Sequence, residues 1–489
     1  MPDADSIARL SRIPRDVRHV HLIGVAGTAM AALAGMLVER GYRVSGSDNQ
    51  FYEPTASLLR RSLIELREGF GAANLDPPPD LVVVGNVVQR VNPEAQALLA
   101  SAIPYVSMPE ALWHFFLKDR QVLMVAGTHG KTTSTAMMAH VLAAAGRDPS
   151  MLVGGVAVDF GSNYRLGAGP HFVIEGDEYD TAFFDKGPKF LHYRPHGAIV
   201  TAVEFDHADI YRDLDHVKSS FRAMARQADS SRTLVVCADF PHALDCVRET
   251  SARVLSFGLR SGQYRAANVA IGADGARFDI ERDGALLARM HLPIGGRMNV
   301  ANALGVAVML GEFGLTSGEI ARGLASFQGV VRRQQIIGEA AGVVVIDDFA
   351  HHPTAIRVTL EAIAERFPGR RLLAAFEPRS NTARRNVFQR DFGDAFARAA
   401  RVYLAPVYFK DTDPIPPNER LDTGALVAAI ESHGSATFAC ASNDEMLERM
   451  VEDARAGDVA VFMSNGPFDR LKDRFLEAMR ARERGAARG

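Results

Sequence analysis

The chain has 489 residues, which is more than one hydrophobic core usually supports and predicts about three domains. Hydrophobic residues make up 47% of the sequence and charged residues 23%, so a folded soluble protein is expected. The formal net charge of −3 gives no support for a nucleic-acid-binding surface, and the apolar runs are too short to span a membrane.

The cysteines and the first residues give no sign of export. Cys237, Cys246 and Cys440 are too few and too scattered for a disulfide framework or a zinc site. Residues 1–15 carry aspartates and arginines without an apolar stretch, so no secretory signal is predicted. We therefore expect a cytoplasmic protein.

The first segment alternates between strand and helix patterns. Residues 19–23 predict a strand, which a turn at 24–27 connects to a helix from about residue 28 to 40. Residues 42–48, which end in an acid, and residues 80–85 predict two further strands. This βαβ order predicts a parallel sheet.

The turn after the first strand approximates a dinucleotide-binding motif. Residues 24–30 read Gly-Val-Ala-Gly-Thr-Ala-Met, so Ala26 and Ala29 replace two glycines of GxGxxG. A plain strand-to-helix turn explains this sequence as well as a phosphate-binding turn does. The mismatch argues against an NAD-dependent oxidoreductase, the class that such a beginning otherwise suggests.

The most informative stretch is a glycine loop between a predicted strand at 121–126 and a predicted helix at 134–145. Such a loop directs backbone N–H groups and a positive helix end to one point, which binds phosphate. Lys131 would neutralise β/γ-phosphate charge, and the Thr132 hydroxyl would reach Mg²⁺. The alternative is a glycine-rich turn with a solvated lysine. The residues predicted to bind phosphate are Gly127, Thr128, His129, Gly130, Lys131, Thr132 and Thr133.

This loop is shorter than the common GxxxxGK[ST] form. The first glycine of that form would fall at Val125, so the motif is the tighter GTxGKT.

Acidic runs follow two further predicted strands, at 171–175 and 197–201. The first run is Glu-Gly-Asp-Glu-Tyr-Asp at 175–180, and the second is Glu-Phe-Asp-His-Ala-Asp at 204–209. Open α/β sheets bind ligands at the carboxyl ends of their strands, and Mg²⁺ prefers one or two carboxylates with substrate phosphates. His207 could be a second cation ligand. A solvated acidic loop and a surface histidine are the alternatives.

The remainder predicts inserted hairpins at 263–292, a helix at about 299–313 that ends at Gly314, and a second Rossmann-like unit from about residue 332. Strands of that unit are predicted at 343–347, 371–376, 401–405 and 458–462. The run at 347–353, Asp-Asp-Phe-Ala-His-His-Pro, could hold ribose, adenine or a metal. The pair Arg332 and Arg333 would suit an anion, although an ordinary polar loop and a solvated charge pair explain both features.

Together these motifs resemble the Mur ligase family, the ATP-dependent amide-forming enzymes of peptidoglycan synthesis. The resemblance covers nearly the whole chain, with the GTxGKTT loop, the acidic runs, Asn-Val-Ala-Asn-Ala at 299–303 and the later clusters in the family's order. It implies an α/β fold with three domains. These would be a Rossmann-like UDP-sugar-binding domain at 1–117, a central P-loop ATPase domain at 118–330 and a Rossmann-like peptide-binding domain at 331–489.

Two kinds of family member are close to this sequence. One adds L-alanine to UDP-N-acetylmuramate. The other joins the recovered tripeptide L-alanyl-γ-D-glutamyl-meso-diaminopimelate to the same sugar nucleotide in peptidoglycan recycling. Three segments are similar to the second kind: residues 175–186, residues 377–382 (Glu-Pro-Arg-Ser-Asn-Thr) and residues 464–469 (Ser-Asn-Gly-Pro-Phe-Asp). Pro467 is a departure, since glycine often stands there.

The resemblance implies that the muramate carboxylate attacks the γ-phosphate of ATP, and that the tripeptide amine then displaces phosphate from the acyl phosphate. Lys131 and Thr132 would serve the phosphates and a first Mg²⁺, while Glu175 and His207 would hold a second. Other residues implied at the ATP site are Asn299, Asn302, Arg332, Arg333, Asp347, Asp348 and His351. Those implied around UDP are Gly24, Gly27, Asp48 and Asn86, and those around the tripeptide are Arg379, Ser380 and Asn381.

Alternatives of other classes are a P-loop regulatory NTPase and a folate polyglutamate ligase, whose usual layout lacks a leading UDP-binding domain. We expect neither nucleic acid nor membrane as a partner, and a monomer or weak homo-oligomer. Some relatives carry a carbamylated lysine near the second metal. Lys218 is the candidate here, although its distance from His207 in the sequence differs from theirs.

Overall fold

The computed structural model describes residues 4–51, 53, 55–62, 64–408 and 415–486. The chain divides into two compact units. The first contains the described part of Met1–Glu204 with Leu214–Arg265 and Leu304–Gly323, and the second contains Phe205–Asp213, Ala266–Ala303 and the described part of Leu324–Gly489. Among the described residues, none of the helices combines the length and the apolar character that crossing a bilayer requires.

The N-terminal sheet of the first unit is entirely parallel. Its strands are β1 (His19–Ile23), β2 (Arg43–Asp48), β3 (Glu65–Glu68), β4 (Leu81–Val84) and β5 (Tyr105–Ser107). They lie in the order β3-β2-β1-β4-β5. The helices are α1 (Ala4–Ser11), α2 (Thr28–Glu39), α3 (Thr55–Arg61), α4 (Pro93–Leu99) and α5 (Met108–Leu112), with a 3-10 turn at Ala72–Leu75 and a π-helical turn at Trp113–Leu117.

The predicted βαβ pattern of this segment is confirmed, while two of its strands were not predicted. The edge strand β3 reads Glu-Leu-Arg-Glu and is only partly buried, so it lacks the apolar run that marks a central strand. The strand β5 has three residues, which is too short for a periodic pattern.

A buried polar network joins β1 and β2 to α4. His21 Nε2 lies 2.7 Å from Glu94 Oε1, and His21 Nδ1 lies 2.8 Å from Ser45 Oγ. The Ser47 hydroxyl donates to Glu94 Oε1 at 2.9 Å, and the Asn74 amide donates to Glu94 Oε2 at 2.6 Å. Burial acts to raise the pKa of Glu94, but hydrogen bonds from these partners outweigh burial and lower it. Glu94 is therefore a buried carboxylate that its neighbours stabilise.

Replacing Glu94 with alanine is expected to lower the free energy of unfolding by about 3 kcal/mol, because His21 and its polar neighbours would lose a buried acceptor. Chemical denaturation measures this change. Gln96→Ala is the matched control, since Gln96 is an exposed residue of the same helix that donates to the Arg90 carbonyl at 2.6 Å. Its expected cost is below about 0.5 kcal/mol, and equal costs for the two variants would contradict the prediction.

The next segment of the chain supplies the second sheet of the first unit. Its strands are β6 (Gln121–Ala126), β7 (Ser150–Ala157), β8 (Ser162–Arg165), β9 (His171–Gly176), β10 (Asp180–Ala182), β11 (Asp185–Pro188), β12 (Gly197–Val200), β13 (Thr233–Cys237) and β14 (Arg253–Gly258). Its helices are α6 (Lys131–Ala144), α7 (Leu214–Gln227) and α8 (Pro241–Cys246), with 3-10 turns at Val158–Phe160 and Lys189–His192.

The sheet order in this segment is β14-β13-β12-β6-β9-β7-β8. All neighbours pair in parallel except β7 and β8, and β10 and β11 form a separate antiparallel hairpin. The three predicted strands are confirmed as β6, β9 and β12. The predicted helix after the glycine loop begins three residues earlier than expected, at Lys131, because Gly130 is its N-cap.

The predicted hairpins at 263–292 are confirmed. β15 (Tyr264–Gly272) begins in the first unit, where it pairs with the end of β14, and its remainder belongs to the second unit with β16 (Gly275–Arg282) and β17 (Ala285–Leu292). β16 and β17 are antiparallel. The helices α9 (Arg297–Glu312) and α10 (Ser317–Ser326) follow, and Gly314 ends the predicted helix with φ of +86°.

The C-terminal sheet belongs to the second unit. Its strands are β18 (Gln335–Ala340), β19 (Val343–Asp348), β20 (Leu372–Phe376), β21 (Arg401–Leu404), β22 (Ala436–Ala439) and β23 (Val459–Met463). Its helices are α11 (Pro353–Arg366), α12 (Asp391–Ala395), α13 (Thr423–Ser432), α14 (Asn443–Asp453) and α15 (Leu471–Ala486), with 3-10 turns at Asn386–Phe388, Pro417–Glu419 and Phe468–Arg470.

The order of this sheet is β18-β19-β23-β20-β21-β22, and every pair is parallel except β18 with β19. Alternate residues of β19 enter two different cores: Val344 and Ile346 face one, and Val343 and Val345 face the other. The four predicted strands of the Rossmann-like unit are confirmed. The edge strands β18 and β22 were not predicted, because polar residues and a glycine interrupt the apolar run of β18 and because β22 has only four residues.

Candidate active site

The predicted phosphate loop folds tightly between β6 and α6. Gly127 has φ of +130°, and a Cβ atom there would overlap the Thr201 hydroxyl and lie 2.8 Å from the backbone nitrogen and oxygen of Ala202. Gly130 has φ of +81° and is the N-cap of α6. Glycine adopts such positive φ values without strain. The loop backbone therefore lies directly against the residues that follow β12.

Those residues hold the loop through several hydrogen bonds. The Thr128 N–H donates to the Ala202 carbonyl at 2.8 Å. The Thr128 hydroxyl donates to the Glu204 carbonyl at 3.2 Å and accepts from the Glu204 N–H at 2.9 Å. His129 Nε2 lies 2.7 Å from Glu204 Oε2. The side chain of His129, which was predicted to bind phosphate, thus contacts the segment after β12.

The Lys131 ammonium lies within the loop. Lys131 Nζ donates to the Gly127 carbonyl at 2.6 Å and to Glu178 Oε1 at 2.9 Å, and the lysine side chain is 13% exposed. Burial acts to lower the pKa of Lys131, but the negative charges of Glu178, Glu175 and Asp177 outweigh burial and raise it. A protonated amine at the entrance of α6 is suited to bind a phosphate group.

Two predicted metal ligands lie side by side at the start of α6. The Thr132 hydroxyl donates to Glu175 Oε1 at 3.1 Å, and the Gly154 N–H donates to Glu175 Oε2 at 2.8 Å. A hydroxyl and a carboxylate beside a phosphate loop are the oxygen donors that Mg²⁺ prefers together with substrate phosphates. The Thr132 hydroxyl and the Glu175 carboxylate therefore fit the predicted Mg²⁺ ion.

The Asp-His motif belongs to the second unit. The buried Asp206 carboxylate accepts from the Thr382 hydroxyl at 2.9 Å and from the His207 N–H at 2.7 Å. Burial acts to raise the pKa of Asp206, but His207, His351 and His352 outweigh burial and hold it well below its usual range. His207 has φ of +56°, a conformation that residues other than glycine rarely adopt. Asp206 thus fixes the backbone from which the predicted ligand projects.

Part of the predicted peptide loop contacts the same motif. Asn381 Nδ2 donates to Asp209 Oδ2 at 2.7 Å, and the Ala208 N–H donates to the Thr382 hydroxyl at 3.2 Å. The Ser380 hydroxyl accepts from the N–H three residues further on at 3.0 Å. Residues 206–209, which were predicted at the metal, therefore contact residues 381–382 of the loop that was predicted to bind the tripeptide.

The two predicted arginines have different contacts. Arg332 Nη2 donates to the carbonyls of Ser464 and Gly466, each at 2.7 Å. Both guanidinium groups lie near the Phe349 ring, at 5.3 Å from its centroid for Arg332 and 4.8 Å for Arg333. Arg332 thus holds the loop after β23.

The acidic residues at the end of β19 are buried. Asp347 contacts Lys472 and lies 3.4 Å from Arg332 Nε. Asp348 accepts two backbone hydrogen bonds of 2.7 Å, and burial raises its pKa. His351 Nδ1 lies 3.0 Å from the carbonyl two residues before it, and burial lowers the pKa of His351. These contacts organise the loop between β19 and α11.

The two C-terminal segments that resemble the tripeptide-adding family members meet in the structure. Glu377 accepts hydrogen bonds from the Ser464 hydroxyl and, at 3.4 Å, from Arg379. The Arg379 guanidinium lies 3.8 Å from the Tyr408 ring centroid. The Arg379 side chain also crosses Gly466 so closely that a Cβ atom there would overlap it. Residues 377–379 and 464–466 therefore form one polar cluster, in which Glu377 and Ser464 are buried.

The predicted asparagines lie at the start of α9. Asn299 Nδ2 donates to the Gly295 carbonyl at 2.7 Å, and Asn302 Nδ2 lies 3.4 Å from Asn299 Oδ1. They share one helix face, as their spacing of three residues requires.

The predicted UDP site lies at the carboxyl ends of β1, β2 and β4. Gly24 has φ of +82°, and Gly27 is the N-cap of α2. The Asp48 carboxylate accepts from the Ala26 N–H at 3.0 Å, so its side chain stabilises the turn. Asn86 follows β4, the other neighbour of β1. In an open α/β sheet the crevice beside such a central strand is the usual ligand site.

Lys218 has a different environment from the one that the carbamylated lysine of some relatives suggests. Its ammonium lies 2.6 Å from Asp245 Oδ2. The same carboxylate lies 2.7 Å from Arg222 Nη2, so the Lys218 amine belongs to a cluster of ion pairs. The contacts of Lys218 therefore give no support to that modification.

Two carboxylates at the phosphate loop were not among the predicted site residues. Glu178 binds Lys131, and Glu204 contacts His129. Both stand in the acidic runs that the sequence displays. The pattern could not indicate which carboxylates of each run turn toward the loop.

Three family models match the chain in succession. They are the "Mur ligase family, catalytic domain" at residues 19–120, the "Mur ligase middle domain" at 125–310 and the "Mur ligase, glutamate ligase domain" at 332–466.

Individual relatives match over almost the full chain. A UDP-N-acetylmuramate–L-alanyl-γ-D-glutamyl-meso-2,6-diaminoheptandioate ligase of Haemophilus influenzae is 35% identical, over 95% of this chain and 100% of the relative. A UDP-N-acetylmuramate–L-alanine ligase of Salinibacter ruber is 33% identical, over 95% of each. The crystal structure of a murein peptide ligase from Psychrobacter arcticus aligns with a TM-score of 0.71 at 33% identity, over 95% of this chain and 99% of the other.

The parallel sheets and the glycine loop at the start of α6 define a P-loop α/β enzyme. The models and relatives identify its family, and the chain belongs to the Mur ligase family. It is accordingly an ATP-dependent ligase that forms an amide bond.

Proposed function

We propose that this enzyme joins the tripeptide L-alanyl-γ-D-glutamyl-meso-diaminopimelate to UDP-N-acetylmuramate, using ATP and Mg²⁺, in peptidoglycan recycling in the cytoplasm. The observation that carries the proposal is the 35% identity to the Haemophilus influenzae ligase over that relative's whole length. Further support comes from the contacts that join residues 377–379 to residues 464–466 in the second unit.

The phosphate loop supports the ATP-binding part of the proposal. The backbone N–H groups at the start of α6 and the Lys131 ammonium supply positive charge where the β- and γ-phosphates would bind. Thr132 and Glu175 would hold Mg²⁺, which neutralises phosphate charge when bound. We also assign His207 as a metal ligand. The residues that we assign as nucleotide contacts are Asn299, Asn302, Arg332, Arg333, Asp347, Asp348 and His351.

The chemistry explains why the site needs this charge. A carboxylate is a poor acyl donor at neutral pH. When one of its oxygens attacks the γ-phosphorus, the bond from that phosphorus to the β,γ-bridging oxygen breaks and ADP leaves, so the carboxylate oxygen becomes part of a phosphate leaving group. The amine then attacks the carbonyl of the acyl phosphate, and phosphate departs. Negative charge develops on oxygen in both steps, so fixed cations and N–H donors stabilise the transition states more than the reactants.

The polar groups around Arg379 support the assignment of the amine substrate. The tripeptide carries several carboxylates, whereas L-alanine carries a single one. Arg379 offers a planar guanidinium held between Glu377 and the Tyr408 ring, and Ser380 and Asn381 add polar groups beside it. We assign these residues to the carboxylates of the tripeptide.

We propose three domains, which bind the UDP-sugar at residues 1–117, ATP at residues 118–330 and the peptide at residues 331–489. We also propose that the enzyme is a monomer or a weak homo-oligomer.

Phosphate release with UDP-N-acetylmuramate, ATP and Mg²⁺ tests the substrate assignment. We expect kcat/KM for the tripeptide to exceed that for L-alanine by at least about 100-fold, because an arginine site without its carboxylate partner loses several favourable contacts. Turnover with L-alanine and none with the tripeptide would establish the alanine-adding activity instead. Slow hydrolysis that no amine stimulates would favour a regulatory NTPase.

A further inference from the structure

The hairpin of β10 and β11 connects the acidic run at 175–180 with the N-terminal segment. Phe183 and Phe184 at its tip pack against the core of the first sheet, and the Phe184 ring centroid lies 5.1 Å from that of Tyr105. Asp185 lies 3.6 Å from Arg9 Nη2 of α1. The tip of the hairpin is therefore anchored to the N-terminal segment.

The residue that follows the hairpin returns to the acidic run. Lys189 Nζ donates to Asp177 Oδ2 at 2.5 Å, and its side chain is 9% exposed. The Lys189 N–H donates to the Tyr179 carbonyl at 3.2 Å. The anchored hairpin thus positions the largely buried Lys189 ammonium against the Asp177 carboxylate.

Three carboxylates of the run have different partners, and two of these partners belong to the phosphate loop. Glu178 binds Lys131, Glu175 accepts from Thr132, and Asp177 binds Lys189. All three carboxylates act on Lys131 electrostatically. A nucleoside triphosphate bound at the phosphate loop would add more negative charge, so an uncompensated Asp177 would repel it.

We propose that Lys189 is a positioning residue of the phosphate site, which neutralises Asp177 so that this carboxylate does not oppose nucleotide binding. The inference rests on the proposed function in one respect, namely that the ligand of the loop is ATP. It assigns the hairpin a role in the reaction, since the contacts of Phe183, Phe184 and Asp185 fix the place from which Lys189 reaches the acidic run.

Isothermal titration calorimetry with Mg²⁺ and the non-hydrolysable analogue AMP-PNP tests the inference without any acceptor substrate. We expect Lys189→Met to weaken binding about tenfold, through the repulsion of an unpaired carboxylate close to the phosphates. Lys189→Arg keeps the charge and should bind within about twofold of the wild type. Lys186→Met is the matched control, since Lys186 lies on the same hairpin, is 69% exposed and pairs with Asp180 at 3.0 Å.

The decisive variant is Lys189→Met combined with Asp177→Asn. If Lys189 acts by neutralising Asp177, the double variant should recover binding to within about twofold of the wild type. If the double variant binds as weakly as Lys189→Met alone, the inference is overturned and Lys189 has a purely structural role. Unchanged binding in Lys189→Met would also overturn the inference. A failure of the proposed function is distinguishable, because it appears as tight AMP-PNP binding by Lys131→Ala or as absent turnover with the tripeptide.

Discussion

Replacing Lys131 with alanine is expected to lower kcat/KM for ATP about 1,000-fold. The reason is electrostatic: the Lys131 ammonium lies inside the phosphate loop, at the entrance of α6, where phosphate charge must be stabilised as the γ-phosphoryl group is transferred. The effect should appear in kcat as well as in KM, because the charge distribution changes between the ground state and the transition state. Steady-state measurement of phosphate release gives both parameters.

Lys186→Ala is the control for Lys131→Ala, since it removes an exposed lysine of the same unit. Lys131→Ala also removes the cation that pairs with the buried Glu178 carboxylate. The free energy of unfolding of the variant should therefore fall as well. Circular dichroism at the assay temperature therefore has to confirm that the variant is folded. Near-normal turnover by the folded variant would contradict the assignment of the loop.

Replacing Gly127 with alanine is expected to abolish measurable nucleotide binding and to lower the free energy of unfolding by about 3 kcal/mol. Two costs add at this position. The backbone has φ of +130°, and the new methyl group would overlap the Thr201 hydroxyl and press on the backbone of Ala202. Relief of that overlap requires the loop to move away from the end of β12. AMP-PNP titration and chemical denaturation measure the two effects.

Gly146→Ala separates these two costs. Gly146 has φ of +72°, but a Cβ atom there would have no neighbour within 4 Å. The variant should therefore show only the conformational cost of about 1 kcal/mol and bind the nucleotide normally. Equal losses of stability and binding in Gly127→Ala and Gly146→Ala would mean that the contact with the end of β12 is unimportant.

The sequence was most informative where local patterns and chemistry coincide. The strand β6, the glycine loop and α6 follow one another without interruption, so the apolar run, the loop glycines and Lys131 could be interpreted together. The same holds for β9 with Glu175 at its end. Strand ends in a parallel sheet meet at one edge, and this explains why Thr132 and Glu175 could be expected to lie together.

Contacts between distant parts of the chain could not be predicted in this way. His21 and Glu94 are 73 positions apart, and neither lies in a recognisable motif. The contact between Asp206 and Thr382 spans 176 positions and depends on how the second unit folds. The pair of Lys189 and Asp177 is close in sequence, but it depends on a hairpin whose strands have three and four residues. Such short strands carry too few residues for a periodic signal.

The contact of the glycine loop with the segment after β12 has a consequence for the evolution of the enzyme. Because the backbone at Gly127 touches Ala202, and Thr128 exchanges hydrogen bonds with Glu204, neither segment can change length or shape independently. A longer loop of the GxxxxGK[ST] form would need a different segment opposite it. Among relatives we therefore expect paired substitutions at 127–129 and 201–204, so that a lineage retains both segments or replaces both.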